Sequence, residues 1–308
     1  MIRPTALAVA ALCAVTLLAG CTAGTPPAPP TPAPTVAPAP ATVDTSCDPT
    51  ASLRPTGADT GGKVAEIRER GRLVVGVSQD TLLFASLNPA TNTIEGFDID
   101  MAGLVAKAIF GTADGHVQLV VVPSADRQAA VQSGRVDLVA ETMTINCARW
   151  KNVDFSTVYY DAGQRVLVPS NSKATGVTDI AGQRVCAVPR STAIATITAG
   201  KPALTLVTAT SWGGCLVALQ QNEADAVITD DSILAGLAAQ DPYTRIVGAR
   251  LTDEPYGMAM NKDHPELTRF VNGVLERARS DGSWTAAHNR WLARLGPAPT
   301  PPPARYRD

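Results

Sequence analysis

Three histidines in 308 residues, no block of like charge and no apolar run long enough to cross a bilayer remove several functional classes at once. His116, His264 and His288 are scattered, and the cysteines lack zinc-finger spacing, so no metal site is expected. Net charge is −2 without a basic stripe, which argues against a nucleic-acid partner. No Gly-x-Ser-x-Gly elbow occurs, and Ser191 has no histidine in a triad position. Asp98 and Asp100, two residues apart at one helix start, face different ways and do not form a catalytic carboxylate pair. An enzyme is not indicated, and no cofactor is called for. With 45% hydrophobic and 18% charged residues, the chain has material for two compact lobes.

What is present begins with an export pattern. Arg3 precedes an apolar run from Ala6 to Ala19, shorter than the ~20 residues a membrane helix needs. Residues 1–20 read as a signal peptide. Leu18-Ala19-Gly20-Cys21 resembles a bacterial lipobox, which makes Cys21 the lipidated residue and places the protein outside the cytoplasm, anchored to the cell membrane. Residues 21–62 are rich in Pro, Ala and Thr and read as an extended tether. Cys47, Cys147, Cys186 and Cys215 remain beyond the export segment. An even number in an exported chain suggests up to two disulfides, with three possible pairings. Cys47 lies in the tether, so the later part of that segment is expected to be stapled to the folded body.

From Lys63 onward strand and helix signals alternate. Apolar runs at Arg72–Ser78, Val117–Val122, Asp137–Ala140, Gln164–Pro169, Gly182–Val188, Thr205–Val207 and Ala224–Thr229 predict strands. Amphipathic segments predict helices over Val64–Arg70, Ser124–Ser133, Leu267–Arg279 and Trp284–Leu295. Such alternation implies βα units and a mainly parallel sheet. The pattern restarts near residue 164, which divides the chain into lobe 1 (63–158 and 254–295), lobe 2 (159–253) and a Pro-rich tail (296–308). The crossings fall near Thr157–Gly163 and Asp253–Gly257. In open α/β sheets ligands bind at the C-terminal strand edges, which nominates the Ser78–Thr81 loop and Asp80 within it.

The stretch Gly96–Ile109 has Phe97, Met101, Leu104, Val105 and Ala108 at helical spacing, with Asp98 and Asp100 placed to cap the helix start. As a string it resembles the signature of family 3 solute-binding proteins, the polar amino-acid receptors of ABC importers, and the chain is similar to actinobacterial glutamate- and glutamine-binding lipoproteins. The resemblance covers residues 63–295. It implies an α/β, type II periplasmic-binding-like fold, with two lobes joined by a two-strand hinge. It also implies a monomer that closes on an amino acid and is read by an ABC permease or another membrane protein. A sensor signalling through a membrane partner, or a dehydratase on the same fold, are the alternatives.

A free amino acid carries two opposite charges, and dehydrating them calls for a paired cation, a paired anion and directed hydrogen bonds. The planar fork of arginine suits a carboxylate. By the resemblance, Arg149 clamps the α-carboxylate, Thr144 helps to hold the ligand, Thr142 contacts the amine and Asp230 binds the ammonium. Asp231, next to it, is the alternative for either the amine or a helix cap. Ser191 and Thr192 precede a helix where the family has Gly-Thr-Thr or Gly-Ser-Thr. Arg190 replaces that glycine, adds a positive charge and questions the loop's shape. Arg127 resembles the arginine of glutamate/aspartate receptors that reaches the side-chain carboxylate. Arg127, Arg149 and Asp230 with an acidic amino acid close to neutrality, whereas balance from Glu141 would favour Asn or Gln. Leu87 stands where some glutamate receptors have arginine, which implies a reduced preference for glutamate or a shorter ligand such as Asp or Asn. Trp212 matches a ligand-facing position. Cys186 and Cys215 match a pair in actinobacterial relatives, which leaves Cys47 with Cys147.

Overall fold

The computed structural model describes residues 47–57, 60–199 and 202–308. The signal peptide, Cys21 and the tether before Cys47 lie outside them. From its first helix the chain runs through α1 (Gly62–Arg70), β1 (Leu73–Val77), a three-strand meander of β2 (Asp80–Thr81), β3 (Ala85–Asn88) and β4 (Thr93–Glu95), and α2 (Phe97–Phe110). Then follow β5 (Val117–Val121), α3 (Arg127–Gln132), β6 (Leu138–Val139), α4 (Cys147–Trp150), β7 (Asp154–Phe155) and the outgoing crossover strand β8 (Tyr160–Ala162). The second lobe comprises β9 (Gln164–Pro169), β10 (Arg184–Ala187), α5 (Thr192–Thr198), β11 (Thr205–Thr208), α6 (Trp212–Gln220), β12 (Ala226–Asp230), α7 (Asp231–Gln240) and β13 (Thr244–Val247). The return is β14 (Glu254–Tyr256), β15 (Ala259–Met260), α8 (Pro265–Ser280) and α9 (Ser283–Trp291).

Two five-stranded sheets result, ordered β5-β1-β6-β15-β7 and β11-β10-β12-β9-β13. In each, the first three strands are parallel and the fourth is antiparallel to both neighbours. That antiparallel strand is the one laid down just after a crossover: β9 on entering lobe 2 and β15 on re-entering lobe 1. The crossovers pair with each other, Glu254 with Ala162 and Tyr256 with Tyr160, which makes the two-strand hinge.

The apolar spacing of α2 is realised as burial of Phe97, Met101, Ala102, Val105, Ala106 and Ile109 against lobe 1. Each large side chain removed from water contributes roughly 1.5–3 kcal/mol. Phe97 sits edge-on to Phe84, Tyr160 and Trp284 with centroids 5.8–5.9 Å apart, so the core reaches the hinge strand. A separate cluster around Val166–Val168, Val185–Val188 and Ala226–Ile228 fills lobe 2.

Two expectations change, at Asp98 and at the tail, and one, the stapling of the tether's later part, is met. Asp98 does not cap α2, which has no side-chain cap. It is fully buried, accepting hydrogen bonds from the Thr142 N–H (2.9 Å) and the Tyr159 hydroxyl (2.7 Å). Burial pushes its carboxyl up to about 7. Residues 47–57, assigned to the tether, lie on lobe 1, as do the last residues of the tail. Ser52 bridges Tyr306 in parallel, Arg305 pairs with Asp48 at 2.6 Å, and Arg269 pairs with Asp308 at 2.5 Å. The Arg307 guanidinium lies 4.1 Å over the Trp150 ring. Buried Asn272 donates to Ser52 Oγ and the Leu53 carbonyl. This clasp rests on backbone pairing and ion pairs rather than on apolar periodicity, which is why composition hides it. Both cysteine pairs are bonded: Cys47–Cys147 fastens the clasp to α4, and Cys186–Cys215 ties β10 to α6.

Candidate functional site

Lobe 1 supplies two guanidinium groups. Asn146 caps the short helix α4 by accepting from the Arg149 N–H, which fixes the turn that carries the arginine. Arg149 is buried and donates Nη1 to the Thr144 carbonyl (2.5 Å) and Nη2 to the Arg190 carbonyl across the cleft (3.2 Å). Burial, helped by the neighbouring charge of Arg127, pulls its pKa down to about 9. Arg127, the first residue of α3, is also buried and donates Nε to the Ser124 carbonyl and Nη1 to the Glu141 carbonyl. Among the described residues no carboxylate lies within ion-pair distance of either group. Carbonyl oxygens hold both cations in place without neutralising them.

Lobe 2 supplies the anion. Asp230 ends β12, is buried, and accepts from the Tyr256 hydroxyl at 2.6 Å. Burial, with repulsion from Glu254, pushes its carboxyl well above the usual range. Asp231 is turned away: it pairs with Arg250 at 2.7 Å and accepts from the Gly163 N–H. Asp230 lines the same cavity as Arg149, and Asp231 does not.

Arg127, Thr142, Thr144 and Arg149 face Ser191, Thr192, Trp212, Thr229, Asp230 and Ile233 across one cavity with an empty volume of about 240 Å³. Thr142 is in the left-handed region (φ 40°), costly for a β-branched residue, and the buried Asp98 holds it there through its N–H. Ser191 Oγ is buried and finds no hydrogen-bond partner among the described residues. Two nominated residues are not brought to this cavity. Arg190 is exposed, adopts the left-handed conformation itself (φ 60°), and donates to the Ala125 carbonyl, so the loop keeps the shape a glycine would give. Its backbone oxygen, not its charge, reaches Arg149. Asp80 accepts from the Gly213 N–H of lobe 2 and lines a neighbouring chamber with Glu141 and Trp212.

Sequence reasoning missed Glu254. It is buried on hinge strand β14, and its Oε2 accepts from Thr144 (2.5 Å) and Thr192 (2.8 Å), while Oε1 accepts from Gln164 and Thr252 (2.7 Å each). Four donors converge on this one carboxyl group just behind the cavity. The only signal was an acid in a predicted crossover. Burial pushes Glu141, the counter-charge considered from sequence, up to about 8, and its Oε2 has no partner among the described residues.

Each lobe has a mainly parallel sheet, two paired strands join them, and a charged cavity lies between. The profile of the bacterial extracellular solute-binding proteins, family 3, matches residues 73–294. The chain belongs to this family. The glutamine-binding protein of a Bacillus subtilis ABC transporter is 36% identical over 230 residues, spanning 74% of this chain and 84% of the relative. The glutamate-binding protein GluB of Corynebacterium glutamicum is 32% identical over 246 residues, spanning 76% and 83%. The solute receptor for L-cysteine of Neisseria gonorrhoeae superposes with a TM-score of 0.72 at 28% identity, covering 76% of this chain and 95% of that one. Holo ArgBP from T. maritima gives 0.65 at 28% identity, covering 74% and 99%. As a family 3 solute-binding protein, the chain has the two-lobe type II fold and is a receptor by descent.

Proposed function

We propose that this receptor captures an acidic amino acid, or its amide, between its lobes and delivers it to an ABC importer. One observation carries the reading: two buried guanidinium groups, neither paired with a carboxylate among the described residues, face a buried aspartate across one cavity between the lobes. Leaving buried charges uncompensated costs several kcal/mol, about 3–5 when a partner is removed from a buried pair. A ligand with two carboxylates and one ammonium matches Arg149, Arg127 and Asp230 one for one. Glu254 offsets part of the positive charge from behind Thr144 and Thr192, which leaves room for asparagine or glutamine. The names of the glutamine- and glutamate-binding relatives support the same class.

Calorimetric titration of the purified protein with Asp, Glu, Asn, Gln and Arg tests this. Binding of the first four, with a carboxylate side chain favoured over its amide, is expected. Preference for arginine would overturn it. The lipobox-like Leu18-Ala19-Gly20-Cys21 supports anchoring through Cys21, and Cys21→Ala is expected to release the receptor into the medium. Loss of amino-acid uptake on disruption of the gene is the expected transport phenotype; unchanged uptake would assign the receptor to sensing.

A further inference from the structure

The loop that leaves β1 sits at a strand edge where a ligand contact is expected, yet its acid is used differently. Asp80 Oδ2 accepts a hydrogen bond of 2.8 Å from the Gly213 N–H, across the cleft in lobe 2. Oδ1 is held by the Ser78 hydroxyl at 2.9 Å, which fixes the carboxylate's direction. Gly213 is the second residue of α6, where helix N–H groups lack intrahelical acceptors, so the bond joins a carboxylate to a helix start. The approach is tight: a Cβ on Gly213 would stand 3.0 Å from Asp80 Oδ2, so the carboxylate would have to give by a few tenths of an ångström. The same loop makes a second close contact two residues on. A Cβ on Gly236, in α7, would stand 2.6 Å from the Leu82 carbonyl oxygen. Two helices of lobe 2 therefore present bare backbone where one loop of lobe 1 comes to rest.

We infer that the Ser78–Leu83 loop is the closure latch of this receptor, with Asp80 a positioning residue that holds the closed lobes rather than a group that touches ligand. This deepens the proposed function and rests on it, since a latch matters only if the lobes close on a solute. Parting the lobes breaks the Asp80–Gly213 bond and returns both groups to water, so the bond acts on the lifetime of the closed form. Next to Gly213, Trp212 lines the ligand cavity, so latch and solute meet on the same turn.

The test compares wild type with Asp80→Ala, Gly213→Ala and the double variant, by stopped-flow binding of aspartate and small-angle scattering with and without it. Gly236→Ala, which meets the loop at its other end, is the further variant should Asp80→Ala not fold. Each single variant is expected to raise the dissociation rate about tenfold, with the association rate changed by less than about threefold. The liganded form is expected to scatter as a more open particle. The double variant is expected to be no worse than the poorer single one, because both changes remove one contact. Dissociation at the wild-type rate in these variants, with wild type itself binding and compacting, overturns the latch. Wild type that neither binds nor compacts overturns the receptor reading instead.

Discussion

The two lobes share a sheet topology and divide the chemistry. Lobe 1 brings cations, Arg127 and Arg149, each braced by backbone carbonyls. Lobe 2 brings the anion, Asp230, braced by a tyrosine from the hinge. Lobe 1 is wrapped from outside by residues from both ends of the described chain, and its disulfide spans 100 residues. Lobe 2 is one continuous stretch whose disulfide spans 29. The difference teaches that matching topology fixes where a site lies, at facing strand edges, but not which charge each side contributes. Opposite charges on opposite lobes make an amino acid the part that completes both.

The largest effect should fall on stability and should differ between lobes. In a chain-entropy account, opening the 100-residue loop with Cys47→Ser/Cys147→Ser costs roughly 4–5 kcal/mol, and opening the 29-residue loop with Cys186→Ser/Cys215→Ser roughly 3–4. Denaturant titration should rank them in that order; equal losses would mean that the clasp contributes nothing beyond its ion pairs. Next come the facing charges. Arg149→Ala should weaken ligand binding by about 3–5 kcal/mol, a hundredfold or more, and Asp230→Asn by about 1.5–3, both read by calorimetry. A larger loss at Asp230 would reverse the division of labour.

Arg127→Gln sharpens the comparison within lobe 1. It should weaken binding of Asp and Glu about tenfold, and of Asn and Gln less than about threefold. Uniform weakening would reduce Arg127 to a scaffold. The smallest effect is on pH dependence. Glu141 has its carboxyl pushed from 4.5 up to about 8 by burial, so the folded chain keeps a proton that the unfolded chain has released. Stability from this group is therefore complete at low pH, falls as pH rises from about 4.5 to about 8, and is level above that. Glu141→Gln should flatten the melting-temperature profile in that window by a few degrees; an unchanged slope would assign it elsewhere, with buried Asp98 the next candidate.

Much of this was legible in the chain. Periodicity located β1, β5, β6, β9, β10, β11 and β12, because burial leaves a regular pattern, but gave no signal for β7, β13 and β15, of which β7 and β15 are two residues long. Arg127, Thr142, Thr144, Arg149, Ser191, Thr192, Trp212 and Asp230, nominated by motif, surround one cavity. Other features depend on contacts that no local pattern encodes. Asp98 looked like a cap because carboxylates at helix starts usually are, yet its neighbours are Thr142 and Tyr159, 44 and 61 residues away. Glu254 gathers donors from residues 144, 164 and 192, so its role exists only after both lobes have formed. Residues 302–308 carry no apolar rhythm, and their partners lie on residues 48–54, on α4 and β7, and on α8.

The position of β15 has a consequence for how the molecule is built. Ala259 and Met260 are wedged between β6 and β7 in the first sheet, and α8 and α9 supply much of that lobe's core. Lobe 2 has all its strands in hand by Val247. During synthesis the half that begins first therefore finishes last. A chain cut after residue 253 would hold a complete second lobe beside a first lobe whose sheet is split by an open gap, a template for any strand that happens by. Assembly of this receptor is thus a matter of timing: until residues 254–308 arrive, the arginine side of the cleft lacks a strand of its sheet, and Asp230 lacks the Tyr256 hydroxyl that braces it.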